Sequence, residues 1–457
     1  MTRTHLTGRP CRTGRKGLAA AAGLAAAALA LAACGSSGPS ASKPASKPTG
    51  TKLTASAPGI TATTITIGSH QPLTGVAAPG YDEIAPASNA YFQYVNAHGG
   101  IYGRKIIYKY LNDQYDPTLT STVVHQLVLQ DNVYAIFNGL GTPTHLAVVS
   151  YLNSSHVPDV FVASGCECWN DTAKYPYTTG WQLDYIREGK ILGQYVAQHF
   201  KGKKIGYFYQ DDEFGMDGVK GLDYEIPKSM VVARESYNPT VTNVAPQVTA
   251  LKAAGAQVVV AFSVPAFTAL LKLTSLKLSY NPQLVVSSVG SDPITLAGLL
   301  AAFAKNNKAG FGNSLTNGMI SDGYLPSLSD TSNSWIKLFT KIRNEYDPKA
   351  PMDGNVLYGM SAAYTFVQAM LKAGRNPTRQ DLINAINSGL PQGVAVAPYA
   401  YSATDHDGIT GAYIDEIRNG KIVQLTPVEI TNTSPTGPIT KDTTPQPAAP
   451  ASGIPSP

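Results

Sequence analysis

Along residues 60–288, short β-branched and aliphatic runs alternate with longer stretches whose apolar positions recur every three to four residues. The runs at 60–68, 105–110, 133–138 and 160–163 have the length and composition of strands. Between them, 81–98, 117–130 and a stretch near 143–153 read as helices. The first ends at Gly99-Gly100, and the second carries Val123, Val124, Leu127 and Val128. The alternation restarts with helix 186–200, strand 204–209, a helix after Gly218 and strand 231–237. Helix 245–254, strand 257–262, helix 267–278 and strand 284–288 continue it. Repeated strand–helix units with apolar strands imply an α/β fold whose parallel sheets are covered on both faces. Two such blocks predict two Rossmann-like lobes, and the cleft between them is the natural ligand site. Residues 414–418 and 421–425 flank Asn419-Gly420, the preferred two-residue hairpin turn.

Several predicted helices open on a residue followed by proline: Asp116-Pro117, Thr142-Pro143, Val264-Pro265 and Asp292-Pro293. Proline suits the first helical position, and Asp or Thr before it can cap the free amides. In parallel sheets such starts gather at the carboxyl ends of the strands, where unpaired N–H groups can receive a carboxylate.

The termini differ from this middle. Residues 1–33 read as a signal peptide, with Arg3, Arg9, Arg12, Arg15 and Lys16 ahead of an Ala/Leu/Gly stretch. That stretch is shorter than the ~20 residues a bilayer span needs. It closes on Leu31-Ala32-Ala33-Cys34, which resembles the bacterial lipobox, in which Cys34 carries the lipid. More than one acyl chain gives stable attachment. The expected location is therefore exported, tethered on the outer face of the cytoplasmic membrane. Residues 34–59, rich in Ser, Pro, Lys and Ala, read as a flexible linker, and the Pro/Thr-rich 431–457 as a disordered tail. The stretch between them is too long for one simple core.

Charge removes one class of partner. The formal charge is +5, from 35 basic and 30 acidic residues, and the five excess positives all lie in residues 1–16. The remainder is balanced and carries no basic patch with interleaved aromatics, so nucleic acid is not an expected partner. Two cysteines other than Cys11 and Cys34 remain, Cys166 and Cys168. In an exported protein they can pair as a disulfide, although the Cys-x-Cys ring is tight. They can also stay free, or hold a metal with two further ligands, although no Cys or His lies close in sequence. No metal or cofactor is expected.

A series of short motifs then occurs in order: Pro72-Leu73-Thr74-Gly75, Asn96-Ala97-His98-Gly99-Gly100, Asp113-Gln114-Tyr115-Asp116-Pro117, Gly141-Thr142-Pro143-Thr144 and Gln210-Asp211-Asp212-Glu213-Phe214-Gly215. Together they resemble the branched-chain amino-acid (Leu/Ile/Val) binding protein family of the type 1 periplasmic binding fold. The resemblance spans most of residues 60–425. It implies a clamshell of two lobes joined by three hinge crossovers. The first lobe would take 60–181 and 323–402, the second 182–322 and 403–430. It also implies a small-molecule solute, no catalysis, and ABC permease and ATPase subunits as partners.

By the same resemblance, Thr142 and Thr144 lie in the loop that grips the ligand carboxylate, unless Thr142 merely caps its helix. Ser164 and Gly165 offer groups to the same carboxylate, although Cys166-Glu167-Cys168 alters that loop. Trp181 with Asp184 and Tyr185 falls at the first crossover, and Phe214 matches an aromatic of the second lobe. Asn355 and Tyr358 come from the returning segment. Amino-acid binders of the family carry an acid after the strand at 284–288. Asp292 is the acid near that position here, and as the residue before Pro293 it reads equally as a helix cap. A branched-chain or other amino acid is the favoured solute, with an aromatic carboxylate, amide or urea as the alternative, and a ligand sensor as an alternative role. No nucleophile elbow, His-Glu-x-x-His pair or phosphate loop is present to support an enzyme, and His70, His125, His145 and His156 show no ligand spacing.

Overall fold

The computed structural model describes residues 52–456. The predicted signal peptide, Cys34 and residues 34–51 of the predicted linker lie outside the described residues. Among the described residues no helix is long and apolar enough to cross a membrane.

Five strands form the first sheet: β1 (Thr64–Gln71), β2 (Lys105–Asn112), β3 (Ile136–Phe137), β4 (Asp159–Val162) and β5 (Thr178–Gly180). Their order is β2-β1-β3-β4-β5, and every pairing is parallel. The second sheet holds β6 (Ile205–Gln210), β7 (Val231–Tyr237), β8 (Val258–Phe262), β9 (Gln283–Val286) and β10 (Ile320–Gly323) in parallel. Antiparallel strands extend it: β11 (Gly411–Arg418), β12 (Lys421–Gln424), β13 (Glu429–Ile430) and β14 (Thr440–Lys441). β8 is buried at all five positions, which is why its sequence, VVVAF, is a continuous apolar run. The β11–β12 turn is Asn419-Gly420, both at positive φ, so the predicted hairpin is present.

Helices from later in the chain return to the first sheet. Helix Gly354–Ala373, buried along most of its length, packs against helix Ile84–Ala97, as does helix Ser334–Tyr346. On the second sheet, helices Tyr185–His199 and Glu213–Glu225 approach backbone to backbone through Gly189 and Gly221. A Cβ on either glycine would strike the opposite helix.

Two expectations about the ends fail. Residues 52–59, read as linker, are packed: Asn376 Oδ1 accepts from Thr54 N at 2.9 Å, and Pro377 O accepts from Ser56 Oγ at 2.8 Å. The tail, read as disordered, is held across both sheets. Lys190 Nζ donates to the carbonyls of Asn432, Ser434 and Gly437 at 2.8–2.9 Å. Farther on, Trp335 Nε1 donates to Pro447 O at 2.7 Å, Tyr94 to Ser452 O at 2.7 Å and Tyr91 to Gly453 O at 2.9 Å. The tail buries little of its own apolar surface. It is fixed instead by backbone carbonyls that satisfy donors of the folded body, a signal its composition does not carry.

Candidate functional site

The carboxyl ends of the two parallel sheets face a cleft of about 410 Å³. Its walls are mostly aromatic and aliphatic. Tyr81, Tyr115 and Tyr358 come from one side, and Tyr185, Phe214 and Tyr324 from the crossovers and the other. Tyr185 and Phe214 pack with ring centroids 4.6 Å apart. Polar groups are few, among them Thr142, Gln182, Ser288, Asp322 and Asp415.

Five of the nine predicted site residues line this cleft: Thr142, Tyr185, Phe214, Asp292 and Tyr358. Thr142 does not cap. Gly141 takes the cap position without a side chain, and Thr142 Oγ1 instead meets Ser164 Oγ at 2.7 Å. The helix that Thr142 opens runs only to Leu146, so it has little dipole to offer an anion. Tyr358 donates its phenol proton to Gln182 Oε1 at 3.1 Å. Asn355 also lines the cleft and binds Thr295 Oγ1 at 3.1 Å.

The other four stand behind the wall. Thr144 is fully buried and donates to Leu140 O at 2.6 Å, which closes the turn below Thr142. Ser164 supports Thr142 from behind, and Gly165 O accepts from Tyr185 N at 2.7 Å. Trp181 is fully buried, donates to Thr365 Oγ1 at 3.0 Å, and meets the Tyr358 ring edge-on at 4.8 Å. It braces the aromatic wall from outside. The sulfurs of Cys166 and Cys168 are bonded to each other. The residue between them, Glu167, donates its N–H to Asp217 Oδ2 across the gap at 3.0 Å.

Asp292 is engaged on two sides. Oδ1 accepts from Thr295 N at 2.7 Å, capping helix Pro293–Phe303, and Oδ2 accepts from Gly354 N at 3.0 Å. One carboxylate thus joins two helix starts that belong to opposite sheets.

Sequence reasoning missed two polar groupings. The first is a buried chain beneath the Gly139–Thr142 loop: Asp113 Oδ2 to His70 Nδ1 at 2.7 Å, His70 Nε2 to His145 Nδ1 at 2.9 Å, and His145 Nε2 to Asp159 Oδ2 at 2.7 Å. Three bonds along four groups need three protons, which leaves the chain one net negative charge. Burial lowers the pKa of His70 while Asp113 raises it. A Cβ on Gly139 would stand 2.5 Å from His70 Nε2, so this pair sets the path of the cleft loop. The second grouping is Glu188, Asp322 and Asp415. Glu188 Oε1 accepts from Ser288 N and Oγ, each at 2.7 Å, and Asp322 Oδ1 accepts from the same N–H at 3.0 Å. Burial drives the pKa of Asp322 well above the usual carboxylate range, helped by the facing Glu188, and pushes Asp415 up to about 7.

A family model described as periplasmic binding protein matches residues 64–421. A Leu/Ile/Val-binding protein homolog 3 of Brucella melitensis is 27% identical over 205 residues, 43% of this chain and 53% of the relative. A Leu/Ile/Val-binding protein homolog 7 of Brucella abortus is 25% identical over 237 residues, 50% of this chain and 59% of the relative. The chain thus spans a little over half the length of these curated relatives. Among solved structures, a fatty acid ABC transporter substrate-binding protein from Thermomonospora curvata superposes with a TM-score of 0.71 at 23% identity. The match covers 84% of this chain and 96% of that one. A branched chain amino acid ABC transporter from Thermus thermophilus with bound valine gives 0.70 at 18% identity, covering 81% and 97%. At these identities the structures show a shared two-lobed fold. The names of these relatives describe binding and transport. The chain belongs to the periplasmic binding protein family.

Proposed function

We propose that this chain is the extracytoplasmic solute-binding component of an ABC importer. In this reading it is held to the membrane by lipid on Cys34 and delivers a small amphipathic solute to permease and ATPase subunits by closing its two lobes. The observation that carries the proposal is the cleft of about 410 Å³ built from both sheets, which is the size and place of a small-molecule site. Its aromatic and aliphatic walls suit an apolar body, and the Thr142 hydroxyl, backed from behind by Ser164, suits a polar head. An amino acid with an aliphatic or aromatic side chain fits this division, in keeping with the printed names of the Brucella relatives.

The test is a thermal-shift screen of the mature chain against amino acids, amides, urea, aromatic carboxylates and fatty acids. A solute at 100 times its dissociation constant adds about 2.7 kcal/mol of stability, which is readily seen in the melting point. The expected result is a shift with one chemical class that is lost when Phe214→Ala opens the wall. A flat response across every class would remove the solute-binding reading.

A further inference from the structure

Away from the cleft lining, the disulfide loop and two passages of the chain between the sheets bring three carboxyl groups together. Glu167 sits between Cys166 and Cys168, at the start of the short turn Glu167–Asn170. Asp184 opens helix Tyr185–His199, where the chain leaves β5 for the second sheet, and Asp407 precedes β11, where it comes back to that sheet. One oxygen from each lies within 4.8 Å of those from the other two. None of the three lines the cleft.

This group is short of partners. Asp184 is 2% exposed; its Oδ1 accepts from Ile186 N and Arg187 N at 2.9 and 3.0 Å, which leaves Oδ2 for the cluster, and Oδ2 has no donor. Glu167 Oε1 accepts from Thr433 Oγ1 at 3.3 Å, while its Oε2 is buried without a donor. Asp407 is 3% exposed, and its Oδ2 accepts from Arg187 Nη2 at 2.9 Å and from Asn170 Nδ2 at 3.0 Å. Arg187 also reaches Asp405 at 3.6 Å, and its Nε and Nη1 meet no acceptor. The guanidinium therefore does not satisfy the free oxygens of Asp184 and Glu167. Three carboxylates less one guanidinium leave two negative charges, before Asp405 and Asp217 at the edge are counted. Buried charge of this kind needs a counter-ion.

We propose that Glu167, Asp184 and Asp407 form a calcium site that ties the disulfide loop to two of the passages between the sheets. Three oxygen ligands, with no sulfur or imidazole among them, suit a hard ion. Ligands drawn from three separate segments suit calcium, which accepts irregular shells, better than magnesium, which demands a near-ideal octahedron. The other convergent group among the described residues, Cys166, Cys168 and Asp217, is closed to a metal while its sulfurs are bonded to each other. The disulfide has a different part. Together with the bond from Glu167 N to Asp217 Oδ2 at 3.0 Å, it fixes the turn that presents Glu167. Glu167 and Asp405 are partly exposed, which gives an ion a way in from solvent. A bound ion holds the two passages together, so its loss loosens the hinge side without altering a residue of the cleft.

The experiment uses the full mature chain, stripped with EDTA and titrated with calcium, magnesium or terbium chloride. Calorimetry is expected to show one calcium site with a dissociation constant of about 1 mM or tighter, the range of exported calcium modules, and weaker binding of magnesium. Terbium luminescence excited through tryptophan reads the same site, because Trp169 lies in the turn that Glu167 begins. Calcium is expected to displace that signal. Glu167→Gln and Asp184→Asn keep the acceptors for Thr433 and for the helix start, and each is expected to weaken calcium at least about tenfold. The calcium heat and the terbium signal are read on the unaltered protein, so a variant that fails to fold does not protect the proposal. No calcium heat and no calcium-displaceable terbium signal up to about 10 mM overturn it. Calcium binding unchanged in both variants, or magnesium bound as tightly as calcium, overturns it equally. None of these readings needs a solute, so solute binding stands or falls separately.

Discussion

Asp292 is a single side chain on which two interpretations turn. Its two oxygens accept from Thr295 N and Gly354 N, so it caps one helix and ties that helix to the start of another. Asparagine keeps one acceptor oxygen and caps nearly as well as aspartate, whereas alanine keeps neither bond. Asp292→Asn keeps the Thr295 cap but turns its NH2 towards Gly354 N–H, so it is expected to lose about 1 kcal/mol and to bind the same solutes. Asp292→Ala is expected to lose about 1–2 kcal/mol of stability. Denaturant titration of the two variants reads this directly. If Asp292→Asn instead abolishes solute binding while the protein remains folded, the carboxylate charge is what the ligand needs and its capping role is incidental.

At the level of elements, apolar strands could be read from the chain and polar ones could not. The runs at 231–237 and 257–262 appear as β7 and β8 to within a residue: β8 is a continuous apolar run inside the sheet, whereas β7 is the edge strand, VVARESY, legible from its β-branched start alone. β1 is displaced from the expected 60–68. Ile60 bridges back to Ile65, and the strand continues through His70, held by the Asp113–His70–His145–Asp159 chain, and Gln71, whose amide donates to Ser69 Oγ and Asn138 O. β5 and β10 are three and four residues, TTG and ISDG, with no periodicity to detect. Asp322 lies in β10, so the acid grouping was hidden with it, since Glu188, Asp322 and Asp415 are distant in sequence. The tail is the clearest failure, because its order comes from donors elsewhere in the fold. Deleting residues 443–457 is expected to leave Trp335, Tyr91 and Tyr94 without acceptors. At a net 0.5–1.5 kcal/mol per bond, the loss is roughly 2–4 kcal/mol, with Trp335 fluorescence moving to longer wavelength. An unchanged denaturation midpoint would show that the tail contributes nothing to the fold.

For the molecule as a whole, the contacts across the cleft determine how readily it opens. Tyr81 donates to Val289 O at 2.7 Å, Gln210 Nε2 to Tyr115 Oη at 3.2 Å, and Asn355 Nδ2 to Thr295 Oγ1 at 3.1 Å. Gly354 N to Asp292 and Glu167 N to Asp217 complete the set, each at 3.0 Å. All five join the first sheet's side to the second's without a solute, so the closed arrangement has its own stabilisation. A ligand adds only its differential affinity for closed over open. Thr295 and Asp217 belong to this set but do not line the cleft. Thr295→Val and Asp217→Ala each remove one bond of about 1 kcal/mol net, which shifts the free protein toward open forms about fivefold per substitution. Apparent affinity falls by a comparable factor once the open form dominates, because binding must then drive closure. Small-angle scattering of the double variant is expected to show a larger radius of gyration without solute and the parent's radius at saturation. Identical scattering in both states, with unchanged affinity, would mean that these contacts follow closure and do not set it.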